Sequence, residues 1–412
     1  MQNEILGSKS KPTIFAGAQF SEQIVNLNKG WTWTSFFVED ARFSNIKEVF
    51  EDLTLEKGDQ LKTFIYNKDV NDADQDNDIT DFIGEVVFTN FENDNWYGPL
   101  STLENSKMYK VKMANKNPLR LIGNDIDEAN LDINIQEGWN WLPFPIHRNI
   151  SVPEALSFYN PIDGDVIKDQ FNFAIYDTNS GWSGTLNYMQ SNRGYMIKSG
   201  AKQILNYPNS ENASKSPGQE HSDETIALFS KYNGSMSIVA EVIASEKYSK
   251  VVVYDLEGNI RGESPIINLN NKSISFISVF SNVNDVLKFK LSDGINEVNI
   301  TNNFVFENNK VYGDLKTPVI LSLKSLSTDD LFLNNTVVYP NPFSESITIS
   351  AIEQTEKLTK IEIYSTIGAL LIKVRVKKNK TIINTASYAK GIYLIKLTSE
   401  TGNMIIKKMV KK

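Results

Sequence analysis

The sequence predicts a mainly β, multidomain protein: two β-rich repeat units each with a short helix, a β-sandwich, and a C-terminal Ig-like antiparallel β-sandwich. Three observations predict it. Tryptophan motifs recur at fixed spacing in the first half. Apolar and polar residues alternate over short stretches bounded by Gly, Asn and Pro. A chain of 412 residues is also longer than a single small core needs.

The recurrence is internal. Val25-Asn26-Leu27-Asn28-Lys29-Gly30-Trp31-Thr32-Trp33 returns 108 positions on as Ile133-Asn134-Ile135-Gln136-Glu137-Gly138-Trp139-Asn140-Trp141. Asn45-Ile46-Lys47-Glu48 returns as Ser151-Val152-Pro153-Glu154 and Gly58-Asp59 as Gly164-Asp165, both after 106 positions. Trp96-Tyr97-Gly98-Pro99-Leu100 returns as Trp182-Ser183-Gly184-Thr185-Leu186 after 86, and a tyrosine follows each tryptophan by 13 positions (Tyr109, Tyr195). All six tryptophans fall on this pattern, which places one repeat at 22–120 and the second at 130–208.

Each copy opens on alternating apolar and polar residues, which is a strand. A short helix follows. Asn45 and Ser151 stand as N-caps, with Glu48 and Glu154 at capping-box spacing. Pro153 takes the first helical position, where a missing N–H is harmless. Ile46, Val49, Phe50 and Leu53, like Val152, Ala155, Leu156 and Tyr159, give each helix one apolar stripe. Strands resume at Phe173 to Tyr176 and Tyr195 to Lys198.

The first copy carries an acidic insert between Gly-Asp and the third tryptophan. Asp72, Asp74, Asp76 and Asp78 alternate there, followed by Asp81 and Glu85. Calcium takes roughly six to eight oxygen ligands, which alternating loop carboxylates supply. Asp74, Asp76, Asp78 and Glu85 fit positions 1, 3, 5 and 12 of an EF-hand-like register, with Ile79 where a glycine is wanted. Ca2+ is thus the one cofactor the sequence suggests. The alternative is a solvated surface loop.

Ser, Asn, Pro and Gly at 209–224 mark a linker. Over 225–323 strands are expected at Met236 to Val242, Lys250 to Tyr254, Ser273 to Phe280, Val286 to Leu291, Phe304 to Phe306 and Val319 to Leu323. Turns such as Glu257-Gly258-Asn259 separate them and no helix is expected, the pattern of a β-sandwich. A second linker occupies 324–335. Residues 336–412 open with Val337-Val338-Tyr339-Pro340-Asn341-Pro342-Phe343, whose prolines exclude a helix. Strands follow at Ser346 to Ser350, Lys360 to Tyr364, Ala369 to Val376, Gly391 to Leu397 and Met404 to Val410. Turns fall at Thr366-Ile367-Gly368 and Thr401-Gly402-Asn403.

Composition narrows the function. Cysteine is absent, which removes disulfides, thiolate metal sites and cysteine nucleophiles and suits an oxidising compartment. His147 and His221 are the only histidines, too few for a His-based zinc site or a Ser-His-Asp triad. No phosphate-binding glycine loop is present and no acidic pair stands out for glycoside hydrolysis, so the chain reads as no enzyme. No transmembrane span is expected, because no run of about 18 apolar residues occurs. The net charge of −8 divides into +8 on 336–412, with 13 Lys+Arg and 5 Asp+Glu, and −16 on the rest. A basic tail on an acidic body suggests two tasks, and the acidic body argues against nucleic acid as partner. The polar opening Met1-Gln2-Asn3-Glu4 is no signal peptide, so a longer product is expected, of which this is the C-terminal part.

In the tail, Tyr339-Pro340-Asn341-Pro342 is followed by Ile361-Glu362-Ile363-Tyr364-Ser365 leading to Gly368. Lys390-Gly391-Ile392-Tyr393-Leu394 comes next, then Gly402 with Lys407-Lys408. In this order and position the segment resembles the type A C-terminal sorting domain of type IX secretion cargo. The resemblance implies sorting-motif residues at Tyr339, Pro340, Asn341, Pro342, Gly368, Gly391, Tyr393, Lys407 and Lys408. It implies two partners: the type IX secretion machinery of a Gram-negative bacterium and a surface sortase-like peptidase that removes the domain. The linker at 324–335, between acidic body and basic tail, is the expected region of the cut. It also implies transfer to a lipopolysaccharide anchor, hence a secreted or cell-surface, outer-membrane-anchored protein. The two copies resemble the Trp-rich, Gly-Trp-Asn-Trp repeats of surface proteins that carry this domain, on Gly138-Trp139-Asn140-Trp141 and Gly164-Asp165 with Lys168; the first copy departs through its insert. Residues 225–323 are similar to accompanying sandwich modules at Asp255, Gly258 and Arg261-Gly262.

The mature function then falls to the acidic, Trp-bearing portion. Tryptophan at fixed repeat positions is either core or a face for a glycan or protein ligand. Trp96 and Trp182 follow polar turns and are the pair expected at the surface as ligand contacts. Three classes compete: adhesin or binding modules, a structural spacer, and the accessory part of a larger secreted hydrolase. The first is preferred.

Overall fold

The structure is a computed structural model that describes residues 20–66, 83–92, 95–127, 131–208, 218–243, 247–323, 336–351, 357–366, 368–376, 378, 380–400 and 404–412. It is mainly β, with antiparallel pairing in nearly every sheet, as the sequence predicts. Two compact units comprise 1–169 with 187–220, and 170–186 with 221–412. No helix among the described residues is long and apolar enough to cross a membrane.

The first segment of unit one forms β1 (Phe20–Leu27), β2 (Gly30–Thr34), β3 (Val38–Asp40), α1 (Ile46–Phe50), β4 (Gln60–Tyr66), β5 (Ile83–Glu92), β6 (Asn95–Tyr97), β7 (Tyr109–Met113) and β8 (Asn117–Asp125). One sheet runs β2-β7-β4-β5-β6 and a second β1-β8-β3. Leu27, Phe36, Phe50, Leu61, Tyr109 and Leu121 lie in the core between them. Asn45 caps α1 as expected: its Oδ1 accepts from Lys47 N and its Nδ2 donates to Glu48. The second segment forms β9 (Ile133–Ile135), β10 (Gly138–Leu142), β11 (Ile150–Ser151), α2 (Val152–Ala155), β12 (Val166–Lys168), β13 (Phe173–Asp177), β14 (Gly181–Gly184), β15 (Tyr188–Met189), β16 (Tyr195–Ser199) and β17 (Gln203–Leu205). Ser151 makes no side-chain cap to α2, and Pro153 is the second helical residue. Strands β10-β16-β12 stand in the order of β2-β7-β4. Hairpin β13–β14 corresponds to β5–β6 and lies in unit two.

The motif positions do the same local work in both segments. Thr32 Oγ1 accepts from Asn28 N at 2.8 Å, and Asn140 Oδ1 accepts from Gln136 N at 2.8 Å. Buried Asp59 accepts from Glu56 N (2.8 Å) and Ala114 N (2.7 Å); buried Asp165 accepts from Ile162 N (3.1 Å) and Gly200 N (2.8 Å). The hydroxyls of buried Tyr109 and Tyr195 accept from Glu104 N (2.7 Å) and Gln190 N (2.5 Å). Gly98 and Gly184 must lack a side chain, because a Cβ would sit 2.1 Å from the carbonyl oxygens of Val87 and Phe173. Lys62 lies 4.9 Å over the Trp31 ring as Lys168 lies 4.6 Å over Trp139.

In unit two the hairpin β13–β14 sits beside the sandwich, with Phe173 edge-on to Phe276 at 6.0 Å. The sandwich comprises β18 (Gly234–Val242), β19 (Lys250–Tyr254), β20 (Ile260–Pro265), β21 (Ile267–Leu269), β22 (Lys272–Ser281), β23 (Val286–Ser292), β24 (Glu297–Val305), β25 (Val311–Tyr312) and β26 (Val319–Leu321). A helix, α3 (Asp223–Phe229), corrects the all-strand expectation for 225–323 and begins within the stretch read as linker. Ser222 caps it through Thr225 N at 3.1 Å, Asp223 and Glu224 occupy its first turn, and buried Phe229 stacks on Phe280 at 4.6 Å. The tail comprises β27 (Thr336–Tyr339), β28 (Ser346–Ala351), β29 (Leu358–Ser365), β30 (Leu370–Arg375), β31 (Lys380–Asn384), β32 (Gly391–Ser399) and β33 (Met404–Lys411).

Sandwich and tail share one topology. Sheet β20-β19-β23-β24 has the order of β30-β29-β32-β33, and the pair β18·β22 that of β28·β31. Both hairpins break register before a tyrosine, between Val253 and Tyr254 and between Ile363 and Tyr364. Both turns end on a left-handed glycine, Gly258 (φ +88°) and Gly368 (φ +82°). They differ on the other side of the first strand. There β18 pairs in parallel with β25 and β26, whereas β28 pairs antiparallel with β27.

Candidate functional site

The tail fastens its motif to its own last strand. The Tyr339-Pro340 and Asn341-Pro342 peptides are cis. Asn341 Oδ1 accepts from Val410 N at 2.8 Å, and its Nδ2 donates to Lys408 O at 3.4 Å. Phe343 N donates to Val410 O at 2.8 Å, and Lys412 N returns a bond to Phe343 O at 3.0 Å. The Lys411 ammonium donates to Ser344 O. Buried Phe343 lies edge-on to Tyr393 at 5.8 Å, and the Tyr393 hydroxyl donates to Ala389 O at 2.6 Å. Residues far apart in sequence are thereby brought to one edge: Asn341, Pro342, Gly391, Tyr393 and the C-terminal lysines. Gly368 closes the β29–β30 turn away from them. Burial holds the Lys407 amine below the ordinary lysine range, while Lys408 is exposed. Tyr339 is half-buried, and burial together with the Asp285 carboxylate pushes its phenol up. Gly402 lies outside the described residues.

A second constellation joins the two segments inside unit one. Trp33, Met108, Trp141 and Met196 form a buried cluster. The Lys110 ammonium lies 4.1 Å over Trp33 and 4.4 Å over Trp141. Burial pulls the Lys110 amine down to about 7, with nearby Glu85 opposing and Lys62 adding to the shift. Burial, then the neighbouring Lys110, hold Lys168 well below the ordinary range. Around this cluster Ser35 Oγ donates to Arg193 O (2.6 Å), Gly194 N to Trp33 O (3.1 Å) and Gln23 Nε2 to Asn192 Oδ1 (2.9 Å). His147 stacks on Phe37 at 4.0 Å. The sequence flags Lys168 through its Gly-Asp-x-x-Lys motif. It offers no signal for Lys110, because the matching residue in the second segment is Met196.

The other expected sites fare differently. Trp96, expected at the surface, is buried; its ring stacks on Phe88 at 5.0 Å and lies 5.5 Å from Phe50. A preceding polar turn does not expose a ring whose strand pairs into the sheet. Trp182 is half-buried, edge-on to its cross-strand partner Tyr176 at 5.4 Å. Asp72, Asp74, Asp76 and Asp78 lie outside the described residues. Glu85 is described in β5 and pairs with Lys62 at 3.3 Å.

Residues 337–412 match the family described as Secretion system C-terminal sorting domain. The tail is therefore a type IX secretion sorting domain, and it marks the chain as exported cargo. The chain is 32% identical over 95 residues to an endo-acting ulvan lyase of Formosa agariphila, covering 22% of this chain and 18% of the lyase. It thus spans under a fifth of that relative. Among solved structures it is similar to the BSP domain of a biofilm associated protein, at 11% identity and TM-score 0.20 over 95% of this chain and 63% of that one. It is also similar to dimeric latent PorU from Porphyromonas gingivalis, at 10% identity and TM-score 0.18 over 95% and 34%.

Proposed function

We propose that this chain is type IX cargo whose Trp-bearing segments are non-catalytic binding or adhesion modules. A surface sortase-like peptidase releases the sorting domain by cutting within 324–335, and the mature protein stays at the outer membrane. The sorting-domain match at 337–412 carries the export half of this reading. For the other half, the two segments are read as copies of one Trp-rich unit of bacterial surface proteins, supported by equal hydrogen bonds at matched positions. The carboxylates they share, Asp59 and Asp165, are buried and already accept backbone amides, which favours a scaffold over a pair of catalytic acids. Ligand contact is assigned to the half-buried Trp182 face. Glycan and protein arrays probed with the full chain test this. Saturable binding that Trp182→Ala weakens without unfolding supports it; cleavage of a bound polysaccharide contradicts it.

A second reading makes the chain the accessory C-terminal part of a larger secreted enzyme. The 32% identity to an ulvan lyase favours it and makes ulvan the first polysaccharide to try.

A further inference from the structure

Sandwich and tail supply an internal comparison, because one topology is used twice in the same chain. The outer face of the sandwich's four-stranded sheet carries buried Val252 among polar side chains that pair with one another. Glu297 accepts from the Tyr254 hydroxyl at 2.5 Å and from Lys290 at 2.9 Å, and Lys250 pairs with Glu263 at 2.8 Å. In the tail, the positions that register with Glu297 and Asn299 hold Met404 and Ile406. These are 57% and 63% exposed, and Ile392 and Val410 beside them are 38% exposed each. Cross-strand pairs Lys396↔Ile406 and Ile392↔Val410, with exposed Lys408 between Ile406 and Val410, give an apolar patch interleaved with ammonium groups.

At Met404 and Ile406 the fold does not require apolar residues, since the sandwich builds the same sheet with Glu and Asn; at Ile392 and Val410 the sandwich keeps the apolar pair Val286↔Val305. An exposed apolar patch with polar neighbours marks a contact surface. The +8 charge of the tail selects an acidic partner. We propose that this face, Ile392, Met404, Ile406 and Val410 with Lys396 and Lys408, is the surface on which a protein of the export machinery docks, through an apolar patch with an acidic rim. The proposal rests on the reading of the tail as a sorting domain.

The test compares export of the full chain, supplied with a leader for the inner membrane, in a host with type IX secretion. Three variants are compared: Met404→Glu/Ile406→Asn, which installs the sandwich's own residues; Ile392→Thr/Val410→Thr; and deletion of 336–412. Thermal unfolding of each purified substituted chain establishes that its tail is folded. Both substituted chains are expected to accumulate in the periplasm, the surface-to-periplasm ratio falling about tenfold, as loss of a contact worth about 1.4 kcal/mol produces. If folded variants reach the surface like the parent while the deletion is retained, this face is not the docking surface and the sorting reading stands. If the deletion also reaches the surface, the sorting reading itself fails. Sedimentation with phosphatidylglycerol vesicles decides the partner. Binding by the parent chain that the variants lose assigns the face to a lipid surface and overturns a protein partner; no binding by the parent supports one.

Discussion

The Lys110 ammonium lies 4.1 Å over the ring of Trp33, inside the buried contact between the two Trp-bearing segments. An ammonium there has lost water and gained ring faces, which recover part of the hydration but not all of it.

Lys110→Met places in the first segment what Met196 places in the second. Unit one is expected to gain about 1–3 kcal/mol at neutral pH, as when buried charges give way to apolar side chains. The sign with pH follows from the amine at about 7 in the folded chain and at about 10.4 unfolded. Between those values the unfolded chain binds the extra proton, so stability rises with pH across that window. Below it, both states are protonated and the penalty stays. Urea unfolding at several pH values, read by tryptophan fluorescence, measures this, since five of the six tryptophans lie in unit one. In Lys110→Met the rise between pH 7 and 10 should shrink.

Asp59→Ala and Asp165→Ala should cost similar amounts, about 2–4 kcal/mol each, because each leaves buried backbone amides without an acceptor. Equal losses in urea titrations would agree with equal roles. A cost near zero for either would contradict the bonding scheme.

Gly98→Ala and Gly184→Ala put a methyl against a backbone carbonyl that cannot move independently. Each should destabilise by about 2–4 kcal/mol. The first should act on unit one and the second on unit two, which calorimetry separates as shifts of different transitions.

Phe343→Ala should cost the sorting domain about 3–5 kcal/mol. Asn341→Ala, at an exposed turn, should cost about 1 kcal/mol. Limited proteolysis of the full chain should show earlier cutting after Val337 in both, with Phe343→Ala the more sensitive.

Much of the fold was legible because period-2 alternation is local. Lys250–Tyr254 is where the pattern puts it, and Met404–Lys411 extends the expected strand by one residue. Strand β31 carries no such clear alternation. Lys380, Thr381, Ile382, Ile383 and Asn384 bury little beyond Ile383, so the apolar signal is weak. Helix α3 was hidden by a Ser- and Asp-rich start that also reads as linker, although those residue types are what a helix N-terminus prefers. Site legibility failed where partners are distant. Trp96 is buried by Phe50 and Phe88, and Lys110 meets Trp141 from the other segment; no local window contains either relation. The sorting motif was legible in order but not in cause. Asn341 is held by Val410 and Lys408 at the opposite end of the domain.

The most direct measurement of the central claim is fractionation of cells expressing the chain with and without residues 336–412, in a host with a working type IX machine. The account predicts that the intact chain reaches the surface or medium and the truncated chain stays in the periplasm, folded. Truncated protein at the surface in the parent's amount would contradict it.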